Sequence, residues 1–566
     1  MPDSRDIRLH LESLVSQGVA AAIAAADLPD VPVLDAAVER PKDAANGDFA
    51  STLPLRLARA AMKSPLDIAT VIAKHFPVDP AIEPPTVAKP GFINIKLSDT
   101  FVQSQVEHII AHGEAYADLQ IGAGKKAQIE FVSANPTGPL HVGNGRGAAI
   151  GDALASTLSA AGYEVEREYY VNDAGTQTGT FSETLYARYQ QLFGRQVEIP
   201  KDGYPGDYVT DIAQQVKDES GDVFLRTQGA PCPPELGALG IELMVRHIQR
   251  TLESFGVRYD RFFSEKSLYE PDGASTAAMG LLREKGALVE REGALWFASS
   301  ELGEDKDNVV VRSDGRPTYY ASDIAYHWDK FIRRGFDVVI DVWGADHHGH
   351  VSRLKTATAA IGADAEALHI LLYQLVFLKR GGDAVRIAKR SGEFVTLDEL
   401  IHDVGKDAAR FFFLLRSPGS QMEFDLDLAV TQSNENPVFY VQYAHARLAG
   451  ILQRAQEQGL DAEDGDVSLL TQPHELALVR EMMQLSEVIE TVATDFEPQH
   501  LPHYAMSLAS AFTAFNDAYK QANDSSLKVI TEDKALSKAR LRLVLAAKIS
   551  LARILGLMGM SAPERM

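Results

Sequence analysis

Cysteine is almost absent from this chain. Cys232 is the sole one in 566 residues, which excludes an intramolecular disulfide framework and suits a reducing compartment. Long apolar runs are also missing. Phe411-Phe412-Phe413-Leu414-Leu415 is far too short to cross a bilayer, and Met1-Pro2-Asp3-Ser4-Arg5-Asp6 has no apolar leader core. A cytoplasmic protein with no membrane partner is therefore expected. Basic charge is short too: 55 Lys and Arg against 78 Asp and Glu leave a net charge of −23. Taken alone, that balance argues against a polyanionic partner, although a large acidic protein can still carry a local basic groove. Neither an internal repeat nor an extended low-complexity tract occurs.

The chain is ordinary in its apolar (45%) and charged (23%) fractions, and its length calls for three or four domains. Residues 1–110 read as a separate α/β module. Helices are expected near 14–26 and 65–76, and a strand at 91–97 with Ile93, Ile95 and Leu97 inward. From about 125 to 395, strands at 127–132, 164–170 and 338–343 alternate with helices at 145–161 and 350–361. That alternation predicts a Rossmann-like, doubly wound parallel sheet. Residues 195–240, rich in Gly, Pro and acid, read as an insertion in this central domain, 111–395. A connecting segment follows at 396–435. Beyond it, apolar residues at three- and four-residue spacing over 439–453, 475–494, 501–521 and 535–555 predict an all-α bundle spanning 436–566. The fold class expected is thus multidomain α/β, with a small α/β module before the sheet and a helix bundle after it.

Four segments carry chemistry. Ser133-Ala134-Asn135-Pro136-Thr137-Gly138-Pro139-Leu140 follows a strand in which Ala127, Ile129 and Phe131 share one side. Its prolines forbid continued strand or helix. His141-Val142-Gly143-Asn144 then opens an Ala/Gly-rich helix. A helix start after such a turn favours anions, and a histidine there can donate to a phosphoryl oxygen. Gly143, Gly145 and Gly147 would leave room for a base or ribose. Far downstream, Arg386-Ile387-Ala388-Lys389-Arg390 places cations followed by Gly392. Gly344-Ala345-Asp346-His347-His348-Gly349-His350 ends an apolar strand, where open α/β sheets bind ligands. Its histidines are metal-type ligands, but no second cluster accompanies them and the lone cysteine cannot help. No metal site is expected, and His350 reads as structural.

The first segment resembles the signature of class I aminoacyl-tRNA synthetases, and specifically the arginyl-tRNA synthetase version, Ser-Ala-Asn-Pro-Thr-Gly-Pro-Leu-His-Val-Gly-His, with Asn144 in the last place. Asparagine donates hydrogen bonds but carries no charge. The basic segment resembles the family's Lys-Met-Ser-Lys-Ser loop, with Lys389 kept, Arg386 for the first lysine and Ala388 for the serine. The order and spacing of these motifs cover essentially the whole chain. The resemblance implies arginine–tRNA ligase activity with ATP, Mg²⁺ travelling with it, L-arginine and tRNA(Arg). His141, Asn144, Lys389 and Arg386 would stabilise phosphate charge. Gly143, Gly344, Asp346 and His347 would line the ATP site. Tyr319 and Asp323, four apart on one helical face, together with Glu130, would read the guanidinium, with Ser133 and Asn135 at the α-amino and carboxylate ends and His347 near the substrate. Residues 169–177 would shape the rim. Tyr440-Val441-Gln442-Tyr443-Ala444-His445-Ala446-Arg447 resembles the anticodon-binding domain, and the module around Asn46-Gly47-Asp48-Phe49-Ala50 the tRNA-elbow domain. A monomer is expected. Three other readings stay open here: another class I synthetase, a metal-dependent phosphoesterase built on Asp346-His347-His348, and an inactive tRNA-binding paralogue.

Overall fold

Branched and aromatic residues dominate five short segments of the central region, and these pair into one sheet. A computed structural model of the chain describes residues 7–32, 35–384 and 395–566. Its strands β1 (Lys126–Phe131), β2 (Glu164–Val171), β3 (Arg261–Ser264), β4 (Val338–Gly344) and β5 (Leu368–Tyr373) are all parallel. They lie in the order β5-β4-β1-β2-β3. The chain direction of winding reverses between β1 and β4, so the crevice beyond their carboxyl ends is the topological switch point.

Helix α1 (Val142–Ala160) covers one face of this sheet, and α2 (Tyr319–Trp328) the other. On the α1 face, Ile129, Phe131, Ile340 and Val342 join the main apolar core. Contact there is so close that a Cβ on Gly151 would fall 2.2 Å from the Phe131 ring. The opposite face is polar at its centre. Glu168, Glu130 and Asp341 are registered neighbours across β2, β1 and β4, forming a row of three carboxylates inside the molecule.

The N-terminal residues form an antiparallel four-stranded sheet flanked by the helices Ile7–Ala24 and Pro65–Lys74. Ile93, Ile95 and Leu97 point inward there, as their alternation predicts. This layer docks on the C-terminal helices: Arg40 grips Glu487 (2.7 Å), Arg480 meets Asp48 (2.8 Å) and the Tyr116 hydroxyl donates to the Met482 carbonyl (3.0 Å). The bundle comprises Pro437–Glu457, Pro473–Met483, Leu485–Asp495, His500–Gln521 and Lys534–Leu557. The single helix expected over 475–494 is two helices that meet at Gln484. Apolar spacing runs through that break unchanged, so periodicity does not reveal it. A strand within the expected connecting segment 396–435, Met422–Asp425, pairs in parallel with Val376–Arg380. Residues 195–240 carry Asp207–Ser220 and the start of Pro234–Ser254, both amphipathic and lying against Thr176–Leu192. Among the described residues no helix is long and apolar enough to cross a membrane.

Candidate active site

β1 ends in a sharp turn. Val132 (φ +69°) and Ser133 (φ +41°) both adopt the left-handed conformation, which costs a β-branched residue most. The turn swings the Ser133 hydroxyl back to donate to Glu130 (2.9 Å) and accept from the Tyr170 N–H (3.1 Å). The Pro/Gly loop then leads to His141, the N-cap of α1. Its Nδ1 accepts from the Asn144 N–H (3.3 Å), and the Asn144 Oδ1 accepts from the His141 N–H (3.0 Å). This reciprocal cap puts the proton of the neutral ring on Nε2. Burial lowers the His141 pKa, opposed by the Asp346 carboxylate, so the ring is a neutral donor.

Across the switch point, β4 ends at Gly344. A Cβ there would lie 2.7 Å from the Asp346 carboxylate, so glycine is what lets that side chain fold back over the strand end. His347 follows, exposed, 3.7 Å from Asp346 and with its ring 5.9 Å from that of Trp343. Between the two strand ends opens a cleft of about 1970 Å³. His141, Gly143, Asn144, Gly344, Asp346, His347, Glu130, Ser133, Asn135, Tyr319 and Asp323 all line it. Thus the described residues assigned from the resemblance to the ATP and amino-acid sites all border one space. Arg386 and Lys389 lie outside the described residues. The chain that follows them returns to the site, because the Val142 N–H donates to the Val395 carbonyl (3.2 Å) and the Leu397 N–H to that of Leu140 (2.8 Å).

Two sequence expectations change. Gly145 and Gly147 do not leave space for a base: Cβ atoms there would meet Leu397 (2.6 Å) and Tyr373 (3.0 Å), so both serve close packing and only Gly143 faces the cleft. His350, read as structural, is exposed on the cleft wall. Among the described residues no group of three His, Cys, Asp or Glu side chains is placed to hold a metal ion.

On the wall formed by α2, Tyr319 and Asp323 lie one turn apart. The Asp323 carboxyl accepts no hydrogen bond from any described residue. Burial pushes it up to about 7; His327 opposes the shift, whereas Glu130, Glu265 and Asp341 add to it. Both oxygens of Glu130 already accept protein donors, Ser133 and, at 2.8 Å, the Lys330 ammonium. Lys330, His327, Asp341 and Glu265 are the residues that sequence reasoning passed over. One signal was present: Asp341 interrupts Val338-Val339-Ile340-Asp341-Val342-Trp343, and a carboxylate inside an apolar strand demands a buried partner. Glu265, buried beside α2, accepts from the Ser322 hydroxyl (2.8 Å).

Comparison with known proteins accounts for this arrangement. A family described as tRNA synthetases class I (R), catalytic domain, matches residues 105–413. A curated arginine–tRNA ligase of Dehalococcoides mccartyi is 48% identical over 98% of this chain and 98% of its own length. The chain belongs to the arginyl-tRNA synthetase family. A second arginine–tRNA ligase, from Carboxydothermus hydrogenoformans, is 48% identical over 94% of each chain. Two further family descriptions match outside the catalytic region: Arginyl tRNA synthetase N terminal domain at residues 13–97 and DALR anticodon binding domain at 441–566. The solved arginyl-tRNA synthetase of Thermus thermophilus shares the fold, with a TM-score of 0.75 at 24% identity over 99% of this chain and all of that one. Within the family signature, Asn144 keeps the helix cap without supplying a second imidazole.

Proposed function

We propose that this chain is an arginine–tRNA ligase: it activates L-arginine with ATP and transfers the arginyl group to the 3′-terminal adenosine of tRNA(Arg). The observation that carries the reading is the unclaimed carboxyl of Asp323, facing the same cleft as the His141 helix start. An acid waiting for a cation beside a phosphate-type helix terminus fits a cationic amino acid meeting a nucleotide.

In the first step the arginine carboxylate attacks the α-phosphate and pyrophosphate leaves, giving a mixed anhydride. No side-chain nucleophile is needed, so the protein contributes position and charge. His141 donates from Nε2 to a phosphate oxygen, and the Asn144 amide offers a second donor. Gly143, Gly344, Asp346 and His347 border the nucleotide. Lys389, with Arg386, neutralises charge on the departing pyrophosphate; this assignment rests on the sequence motif and on the anchoring of Val395 beside Val142. Mg²⁺ would arrive with ATP and would screen the triphosphate charge. Tyr319 and Asp323 take the guanidinium, and Ser133 and Asn135 the α-amino and carboxylate ends. In the second step the tRNA terminal hydroxyl attacks the anhydride carbonyl. The acyl–phosphate bond breaks and AMP leaves, with the arginyl group now an ester of the terminal ribose; residues 169–177 border the entry.

Pyrophosphate exchange with a panel of amino acids, with and without total tRNA, tests the reading. Arginine alone should support exchange. Exchange driven by another amino acid, with none for arginine, would refute it.

A further inference from the structure

The loop between β1 and α1 cannot brace itself. Pro136 and Pro139 carry no N–H, and Ser133 to Leu140 form neither helix nor strand, so their carbonyls need donors from elsewhere. Tyrosine hydroxyls supply them at every third residue. Tyr259 donates to the Phe131 carbonyl (3.0 Å), Tyr169 to that of Ala134 (2.7 Å) and Tyr208 to that of Thr137 (2.7 Å). Tyr169 lies on β2 and Tyr259 just ahead of β3. Tyr208 comes instead from the insertion, in the first turn of the helix Asp207–Ser220, and it alone of the three borders the cleft.

Several contacts fix where that hydroxyl sits. Thr184 and Arg188, one turn apart on the helix Thr176–Leu192, hold the segment before it. Thr184 Oγ1 accepts from the Tyr204 N–H (3.3 Å), and Arg188 donates to the Pro205 carbonyl (3.1 Å). Gly206 is the N-cap of the Tyr208 helix, and Val209, Ile212 and Val216 bury its apolar side. At the far end of that helix the Tyr189 hydroxyl donates to the Gly221 carbonyl. The approach to the loop is close: a Cβ on Gly138 would stand 3.3 Å from the Tyr208 oxygen. Among the described residues, 136–139 receive no other hydrogen bond from outside the loop.

We propose that Tyr208 is a positioning residue of the nucleotide end of the cleft: its hydroxyl, carried on the insertion, holds the Thr137 carbonyl and so steadies the loop that aims His141 at a phosphate. The inference rests on the ligase reading above, in which His141 donates to the nucleotide. The amino-acid end of the loop has supports of its own. Tyr169 holds Ala134, the Tyr170 N–H meets the Ser133 hydroxyl (3.1 Å), and Asn135 donates to Gln177 (2.6 Å). Loss of the Tyr208 hydroxyl therefore acts after Asn135, on Thr137, Gly138 and the approach to His141. A displacement of about 1 Å at a positioned donor can slow a reaction by about 10².

The test uses the full chain with total tRNA and reads pyrophosphate exchange at varied ATP and at varied arginine. Tyr208→Phe keeps the ring and deletes the donor. It should lower kcat/KM for ATP by about 10- to 10²-fold and leave the arginine KM within about twofold. Tyr189→Phe removes a hydroxyl–carbonyl bond of the same kind from the opposite end of the same helix. Its melting temperature should fall about as far as that of Tyr208→Phe, with kcat/KM for ATP within about twofold of wild type. Gly138→Ala, which crowds the hydroxyl, should also lower kcat/KM for ATP, and less than additively with Tyr208→Phe. An arginine KM that rises in Tyr208→Phe as far as kcat/KM for ATP falls would overturn the inference. So would an ATP dependence no more affected than in Tyr189→Phe, or strict additivity of the Gly138 and Tyr208 changes. A wild-type chain that exchanges with another amino acid and not arginine would overturn the arginine reading instead; the ATP contrast is then measured with the amino acid that works.

Discussion

Asp323 sets the behaviour of the site at the scale of single residues. Its carboxyl, raised to about 7, keeps its proton in the arginine-free protein up to neutral pH. A guanidinium binds the ionised form, so arginine binding expels that proton below about 7. The arginine KM should fall about tenfold per unit as pH rises towards 7 and then level off, and Asp323→Asn should flatten this slope in exchange assays across pH 5.5–8.5. The sign for stability is the reverse of the usual aspartate case. An unfolded-chain aspartate ionises near ~4, so this group's contribution to stability is lost as pH rises from about 4 to about 7. Lys389 makes a second case: removing one preorganised donor should slow exchange by roughly 10²–10³, and an unchanged rate for Lys389→Ala would take it out of the mechanism. The ligand-facing residues were legible from sequence because they sit in motifs with distinctive order. Lys330 and His327 were not, since a lysine in Trp328-Asp329-Lys330-Phe331 reads as solvated until a π-helical turn buries it.

At the scale of elements, what counts is how closely α1 lies on β1. The helix was visible in the sequence as an Ala/Gly-rich run, observed as Val142–Ala160 against an expected 145–161. Its glycines were only half understood, because a small residue can make room either for a ligand or for a neighbour. The structure assigns Gly145, Gly147 and Gly151 to neighbours. Gly151→Ala should therefore push α1 off Phe131, destabilise the chain by about 1–3 kcal/mol in thermal or denaturant melts, and slow exchange by displacing His141. A melt and a rate both like wild type would show that the contact relaxes without cost. The strand Met422–Asp425 was missed for a related reason. Four residues between turn-forming segments carry too little pattern to compete with the helical periodicity around them.

The whole molecule is held together by buried arginines as well as by apolar contact. Arg410 has no exposed side-chain surface; it donates to the carbonyls of Met558 (2.7 Å) and Phe255 (3.2 Å) and pairs with Asp152 on α1. It thus ties the C-terminal end of the last helix to the helix that carries the phosphate-facing cap. Arg410→Met should cost about 3–5 kcal/mol, because Asp152 loses a buried partner, and the loss should appear as a single lowered melting transition. A melting temperature like wild type would argue that Arg167, also on Asp152 (3.2 Å), suffices. The main-chain clasp of Leu140 and Val142 on Leu397 and Val395 has a different character. It uses no side chain, so apolar exchanges at these four positions leave both bonds standing. A proline at 142 or 397 would delete one outright, and a residue inserted between 395 and 397 would turn an N–H away from its carbonyl. Spacing, more than composition, is what joins the two signature segments.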